Sequence, residues 1–318
     1  MPTLYIMHEN SLWNAPLVRI LAAQGWTCVE WDLRSLHLPL HGPPPAKPCV
    51  VLNRFSPSSF WRTGPQALAV ATQRLHWLQL HGIPVVSGLR ALELETSKAL
   101  QHLQCQQHSV PVPRTVICTA DQLEHALQQW GEAPYVIKPN CGGSGHDITL
   151  QGTTAVRSPD CLVLVQEYVD SPSNTLIRLE YVDGALLYAL QVRTSKDDFN
   201  NCPADHCTVE HCPVGGSKFT RLADFPETES ERRLDGSLRR LLRANRIDIA
   251  GAEAIQDAAG RWWVIDINCV NTNYNRSAEL ACGAGERGAE RVAALLRRRL
   301  TDPRTSGSPP GCEPPPPE

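Results

Sequence analysis

Up to Leu92 the sequence predicts an α/β unit, and beyond it mixed α+β structure. Three observations carry that expectation. Short apolar runs alternate with helix-length periodic segments as far as "IPVVSG"; a strand lysine precedes a glycine cluster in "VIKPNCGGSGHDI"; and an acid, Asp266, sits inside the apolar run of "GRWWVIDINCVNTNYN". Alternation of strand and helix is the signature of a parallel sheet.

In order, "TLYIM" (3–7) and "WTCVEW" (26–31) read as strands flanking a periodic segment over Leu17–Ala23, which stops at Gly25 as helices often do. A proline-rich loop leads to the buried strand "CVVLN" (49–53), a helix from Pro65 to His81 and a fourth strand in "IPVVSG". Near Leu92 a new segment opens with a helix carrying Ser97 and Lys98. A helix over Asp121–Trp130 and the strand "YVIKP" follow. "TLIRLEYV" and "LLYALQVR" are joined at Asp183-Gly184, a strong hairpin signal. A helix over Glu229–Asn245, two further strands and a helix over Ala278–Leu300 complete the folded part. Residues 301–318, rich in proline and almost without apolar side chains, read as a disordered tail.

The chain has 318 residues, 42% hydrophobic and 20% charged, with a formal net charge of -3. It lacks the basic excess that phosphate-backbone binding needs, so nucleic acid is not expected as a partner. No apolar stretch approaches a membrane span of about 20 residues, and "MPTLYIMHEN" is not a basic-then-apolar leader, so a cytoplasmic protein is expected. Its 12 cysteines are scattered through a chain large enough not to need staples, which favours free thiols.

Lys138 precedes Gly142, Gly143, Ser144 and Gly145, so this is not a phosphate loop with its lysine after the glycines. It reads either as a strand lysine beneath a glycine lid whose N–H groups approach phosphates or as a plain glycine turn. "LVLVQEYV" offers strand-end backbone at Gln166, Glu167, Tyr168 and Val169 that could meet a purine edge, a weak signal alone. Arg178 and Arg193 are either surface ion pairs or, brought into one cleft, partners for a polyphosphate and an oxyanion. Period two puts Asp266 and Asn268 on one face of a strand, about 7 Å apart. The turn at Asp257–Gly260 returns that strand beside "DIAGAEAI", so Glu253 joins them. Two carboxylates and an amide suit magnesium or manganese; a strand end dipping into solvent is the competing reading. Cys202, Cys207 and Cys212 are spaced too widely for the usual zinc site and suggest a substrate-facing loop with reduced thiols.

From residue 50 to 300, "LNRF", "GIPVVSG", "TSKALQHL", "VPVPRTV", "VIKPNCGGSGHDI", "VQEYV", "IRLEYVDG", "VGG" and "GAEAI" to "DIN" follow one another in an order that resembles the ATP-grasp superfamily, and within it the RimK-like ribosomal-protein glutamate ligases. The resemblance implies a Rossmann-like N-terminal domain (1–92) and a two-subdomain ATP-grasp domain (93–300, divided at about 165/166). Lys98 and Lys138 would contact ATP phosphates, Gly142 to Gly145 would cover them, and Gln166 to Val169 would hold adenine. Glu253, Asp266 and Asn268 would bind magnesium, with Arg193 and Arg178 as the catalytic arginines. Leu176 stands where the family often has an acid two places before the arginine, and Ser87 replaces a frequent asparagine. The implied activity is ATP-dependent joining of a carboxylate to an amine on an amino acid or peptide. An ATP-grasp small-molecule kinase and a non-catalytic nucleotide-binding regulator are the alternatives. Asn271, Asn273 and Asn275 either line the acceptor pocket or build a turn, and a homo-oligomer is compatible with the sequence.

Overall fold

The computed structural model describes residues 1–35, 37, 41–143, 145, 147–152, 156–194, 219–270, 279 and 288–301. Strands β1 (Thr3–His8), β2 (Thr27–Asp32), β3 (Cys49–Asn53) and β4 (Val85–Val86) form a parallel sheet ordered β2-β1-β3-β4, as the alternation predicts. All five residues of β3 are buried, as befits a parallel strand covered on both faces. Between these strands run α1 (Ala15–Ala23), the short α2 (Ser59–Thr63) and α3 (Gln66–Leu80). "IPVVSG" supplies only two strand residues because Ser87 turns the chain at φ 57.

The helix expected around Ser97 and Lys98 is in fact two, α4 (Leu89–Glu95) and α5 (Lys98–Gln107). Ser97 caps the second rather than lying inside it, its Oγ accepting from Leu100 N. A second sheet follows, antiparallel and ordered β5-β8-β6-β7, from β5 (Thr115–Thr119), β6 (Tyr135–Pro139), β7 (Thr149–Leu150) and β8 (Leu162–Glu167). Helix α6 (Leu123–Trp130) sets Leu123 and Trp130 against its Ile137, Val163 and Val165.

The largest sheet is antiparallel, ordered β11-β10-β9-β12-β13, from β9 (Thr175–Val182), β10 (Ala185–Arg193), β11 (Phe219–Arg221), β12 (Ile249–Gln256) and β13 (Trp262–Asn268). The hairpin falls where expected, with Asp183 and Gly184 both left-handed at φ 55 and 72. One sheet face takes α7 (Glu229–Ala244), whose start is fixed by a capping box between Thr228 and Glu231. Its Leu234, Leu238, Leu241 and Leu242 cover Ile177, Leu179 and Tyr181, each leucine burial stabilising by about 1.5–3 kcal/mol. The last helix, α8, is described over Gly288–Thr301; residues 278 and 280–287 of the expected helix lie outside the described residues. Its Val292, Ala293, Leu295 and Leu296 share one core with Leu4, Ile6, Val50 and Leu52 of the parallel sheet and with Val182 and Ile249 of the large one. Strand β13 is a sheet edge, and of Trp262–Ile267 only Val264 and Ile267 are buried.

Among the described residues no helix is long and apolar enough to cross a membrane. All seven described cysteines, Cys28, Cys49, Cys105, Cys118, Cys141, Cys161 and Cys269, are free. Cys202, Cys207, Cys212, Ser144, Asn271, Asn273 and Asn275 lie outside the described residues.

Candidate active site

The register of the large sheet assembles the centre of the site. Across β9, β12 and β13, Arg178 stands opposite Glu253 and Glu253 opposite Asp266, so three charged side chains form one row on the face away from α7. The next row on that face carries Glu180, Gly251 and Asn268. The expected juxtaposition of Glu253 with Asp266 and Asn268 is therefore present. Asn268 Nδ2 lies 3.5 Å from Asp266 Oδ2.

Both lysines reach this row. Lys98 Nζ donates to Asp266 Oδ1 at 2.5 Å, and Lys138 Nζ, arriving from β6 of the second sheet, donates to Ile265 C=O at 3.0 Å. A β-bulge makes the second contact possible. Glu253 pairs with Asp266 but Ala254 with Val264, so Ile265 has no partner opposite it. Burial holds the Lys138 ammonium down at about 7, with the nearby Lys98 charge acting the same way. Burial opposes charge on Lys98 too, but Asp266 outweighs it and raises Lys98; Asp266 is lowered against its own burial by Lys98 and Lys138.

Several residues not foreseen from sequence hold these groups in place. Asn140, at the end of β6, accepts at its C=O from Lys98 N (3.1 Å) and at Oδ1 from Ala99 N (2.9 Å), and donates to Asp160 Oδ2 (2.5 Å). It satisfies the first-turn donors of α5 and ties that helix to the second sheet. The outer edge of β13 is also occupied. Val264 N donates to Pro111 C=O at 2.8 Å; Gln101 bonds both N–H and C=O of Ile267 at 3.2 and 2.8 Å; Glu95 Oε2 accepts from Cys269 N and from Val270 N, the latter at 3.0 Å. Burial raises the Glu95 carboxyl to about 7.

Arg178 is held by two acids, its Nε donating to Glu180 Oε1 at 2.5 Å and Nη1 to Glu253 Oε1 at 3.0 Å. Arg193 is not brought to this face. A two-residue hairpin in regular register would place both arginines on one side, but a bulge between Leu186 and Tyr188 advances the pairing by one. Arg178 then faces with Leu190, while Arg193 faces with Thr175 on the other side, exposed at the end of β10.

The glycine segment meets the parallel-sheet unit. A Cβ on Gly143 would lie 3.4 Å from Ser58 Cβ and 3.7 Å from Pro57 Cγ, and one on Gly142 would lie 2.8 Å from Pro139 Cγ. Arg157 stacks over the Trp61 ring at 4.5 Å nearby. Ser58 Oγ accepts from Arg62, which also holds the buried Glu9 carboxylate at 2.6 Å. The ends of parallel strands are where such sheets bind ligands, a signal that could have drawn attention to Glu9 and Arg62. At the end of β8, Gln166 donates to Thr115 Oγ1 at 2.8 Å, while Glu167 N and Tyr168 N donate to Arg114 and Pro134 C=O. Val169 N–H has no backbone acceptor among the described residues.

The residues present fit magnesium. The donors are hard oxygens on adjacent, paired strands, and Glu253 Oε2 accepts no hydrogen bond among the described residues. No group of three or more His, Cys, Asp or Glu suited to a metal occurs among the described residues, so the set depends on the Asn268 amide and on ligands from outside the chain.

No protein-family model matches the sequence, and neither does any curated protein. Solved structures do. The chain superposes on D-cycloserine synthetase DcsG with a TM-score of 0.68 at 15% identity, covering 94% of this chain and 100% of that one. For D-alanine–D-alanine ligase from Bacillus anthracis the TM-score is 0.65 at 15% identity, with 96% and 100% covered. For a RimK-domain ATP-grasp protein from Sphaerobacter thermophilus it is 0.60 at 16% identity, with 93% and 99% covered. The chain therefore has the ATP-grasp fold.

Proposed function

We propose that this chain is an ATP-dependent carboxylate–amine ligase that forms an amide or peptide bond on an amino acid or peptide through an acyl phosphate. The observation that carries this reading is the convergence of Lys98 and Lys138, from different elements, on the in-register row of Arg178, Glu253 and Asp266. We take residues 1–92 as a Rossmann-like unit and 93–300 as the ATP-grasp domain, divided at about 165/166. Similarity in fold to two ligases supports the reaction class; sites rather than folds fix substrates.

In this reading Lys98 and Lys138 bind the phosphates of ATP, Gly142 to Gly145 cover them, and Gln166 to Val169 hold the adenine. Glu253, Asp266 and Asn268 hold magnesium or manganese, which when bound supplies positive charge to the phosphoryl oxygens. The lysines place the γ-phosphorus in line with a substrate carboxylate oxygen, and ADP departs as the new P–O bond forms. The glycine segment keeps water from the acyl phosphate. The substrate amine then attacks the acyl carbon, losing a proton as inorganic phosphate leaves. Arg193 takes no part in these steps, because the register turns it to the other face of the large sheet.

The test is to incubate the protein with ATP, magnesium and a broad panel of amino acids and short peptides. ADP and inorganic phosphate should appear in equal amounts, dependent on both an acid and an amine. Phosphate retained on the substrate would make the protein a kinase instead. No ADP across the panel from folded, nucleotide-binding protein would leave only a regulator.

A further inference from the structure

Glu180 has no part in the ligand set above, yet it is among the least exposed charged side chains in the protein, at 1%. Its Oε1 takes Arg178 Nε, while its Oε2 is buried without a hydrogen-bond partner among the described residues. A buried carboxylate oxygen left unpaired costs stability, and such groups call for a reason. Residues 176, 178 and 180 alternate onto the same face of β9, so the arginine is flanked on that face by an acid on one side, Glu180, and by an apolar residue, Leu176, on the other.

A guanidinium is a rigid fork. With Nε committed to Glu180, Arg178 reaches Glu253 through Nη1 alone and engages only Oε1. Two carboxylates against one guanidinium also leave this row with a net negative charge beside Asp266. Without Glu180, the half-buried Arg178 would have Glu253 as its sole carboxylate partner among the described residues, and bidentate pairing would take both oxygens of that carboxylate.

We propose that Glu180, through Arg178, is a positioning residue that keeps one oxygen of Glu253 open to the metal, so that Arg178 orients a metal ligand rather than binding the substrate's anion. This rests on the reading of Glu253 as a metal ligand.

The experiment is manganese titration of the full chain with ADP present, followed by electron paramagnetic resonance, beside ADP binding measured in EDTA. Glu253→Gln tests the underlying reading. If wild type binds no manganese, or Glu253→Gln leaves binding unchanged, the metal assignment fails and the proposal with it. If Glu253→Gln loses the metal, Glu180→Gln should weaken manganese binding about 10- to 100-fold, the range for groups that orient metal ligands, with ADP binding in EDTA unchanged. The double variant Leu176→Asp/Glu180→Gln, which moves the acid to the other side of Arg178, should recover part of that loss. Arg178→Lys, which keeps the charge but removes the fork, should weaken manganese binding to the same extent and serves where Glu180→Gln does not fold. Wild-type manganese affinity in Glu180→Gln, or in Arg178→Lys when only that variant folds, would overturn the proposal, as would an equal loss of metal-free ADP binding.

Discussion

The two sheets that face each other across the site are built to different rules. On the large sheet every charged side chain of the site has a charged partner: Lys98 with Asp266, Arg178 with Glu180 and Glu253. On the smaller sheet Lys138 donates to a backbone carbonyl, its one hydrogen bond among the described residues, and at Gly142 and Gly143 a side chain would come up against Pro139 and Ser58. The first arrangement fixes charge in place before any ligand arrives. The second leaves a surface that can close over a ligand at little electrostatic cost, because few of its bonds need to be broken to open it. Fixed dipoles and charges stabilise a transition state without reorganising, which is what the large sheet provides.

Removing a fixed charge is the strongest way to break this contrast. Asp266→Ala is expected to lower the rate of ADP release at least about 10³-fold, with the circular dichroism spectrum unchanged; an undiminished rate would remove the metal assignment. On the facing sheet, Lys138→Met is expected to cost about 10²-fold in kcat/KM for ATP, the scale of one charge-assisted contact to phosphate. An effect as large as that of Asp266→Ala would mean the two sheets are equally preorganised.

Glu95 sharpens the comparison through pH. Its folded-state carboxyl lies at about 7 against an ordinary 4.5, so the folded protein holds a proton there that the unfolded chain has released. That contribution is fully present below about 4.5 and is lost as pH rises through about 7. Between those limits wild type should lose about 3 kcal/mol of stability that Glu95→Gln does not lose, measured as urea midpoints across the range. Parallel slopes for the two proteins would rule this out. The smallest effect is expected at the lid. Gly143→Val pushes side-chain atoms toward Ser58 and Pro57, and should raise KM for ATP about tenfold with the melting temperature unchanged. A large drop in melting temperature instead would show that the glycine segment holds the fold together.

Much of this site is legible in the sequence because its parts obey local periodicities. Alternation places Asp266 and Asn268 together, the Asp183-Gly184 turn fixes the hairpin, and the turn after Asp257 returns β13 beside Glu253. What escapes sequence reading is of two kinds. Gln101 and Glu95 act on backbone groups more than 160 residues away, and a side chain that bonds another segment's backbone leaves no periodic trace. Asn140 is similar, acting on α5 from 41 positions off. The second kind is the bulge. A single extra residue near Leu187 reverses the face of everything after it on β10, so two arginines that simple counting puts together are parted.

The occupied outer edge of β13 bears on how the protein keeps to itself. An edge strand with free N–H and C=O groups is a template for pairing with another chain, and this one is rich in tryptophan and isoleucine. Pro111, Gln101 and Glu95 take up those groups at Val264, Ile267, Cys269 and Val270. The contacts that aim Asp266 and Asn268 into the cleft thus also deny the strand to neighbouring copies, and a variant such as Gln101→Ala would be exposed to self-association as well as to a misplaced site.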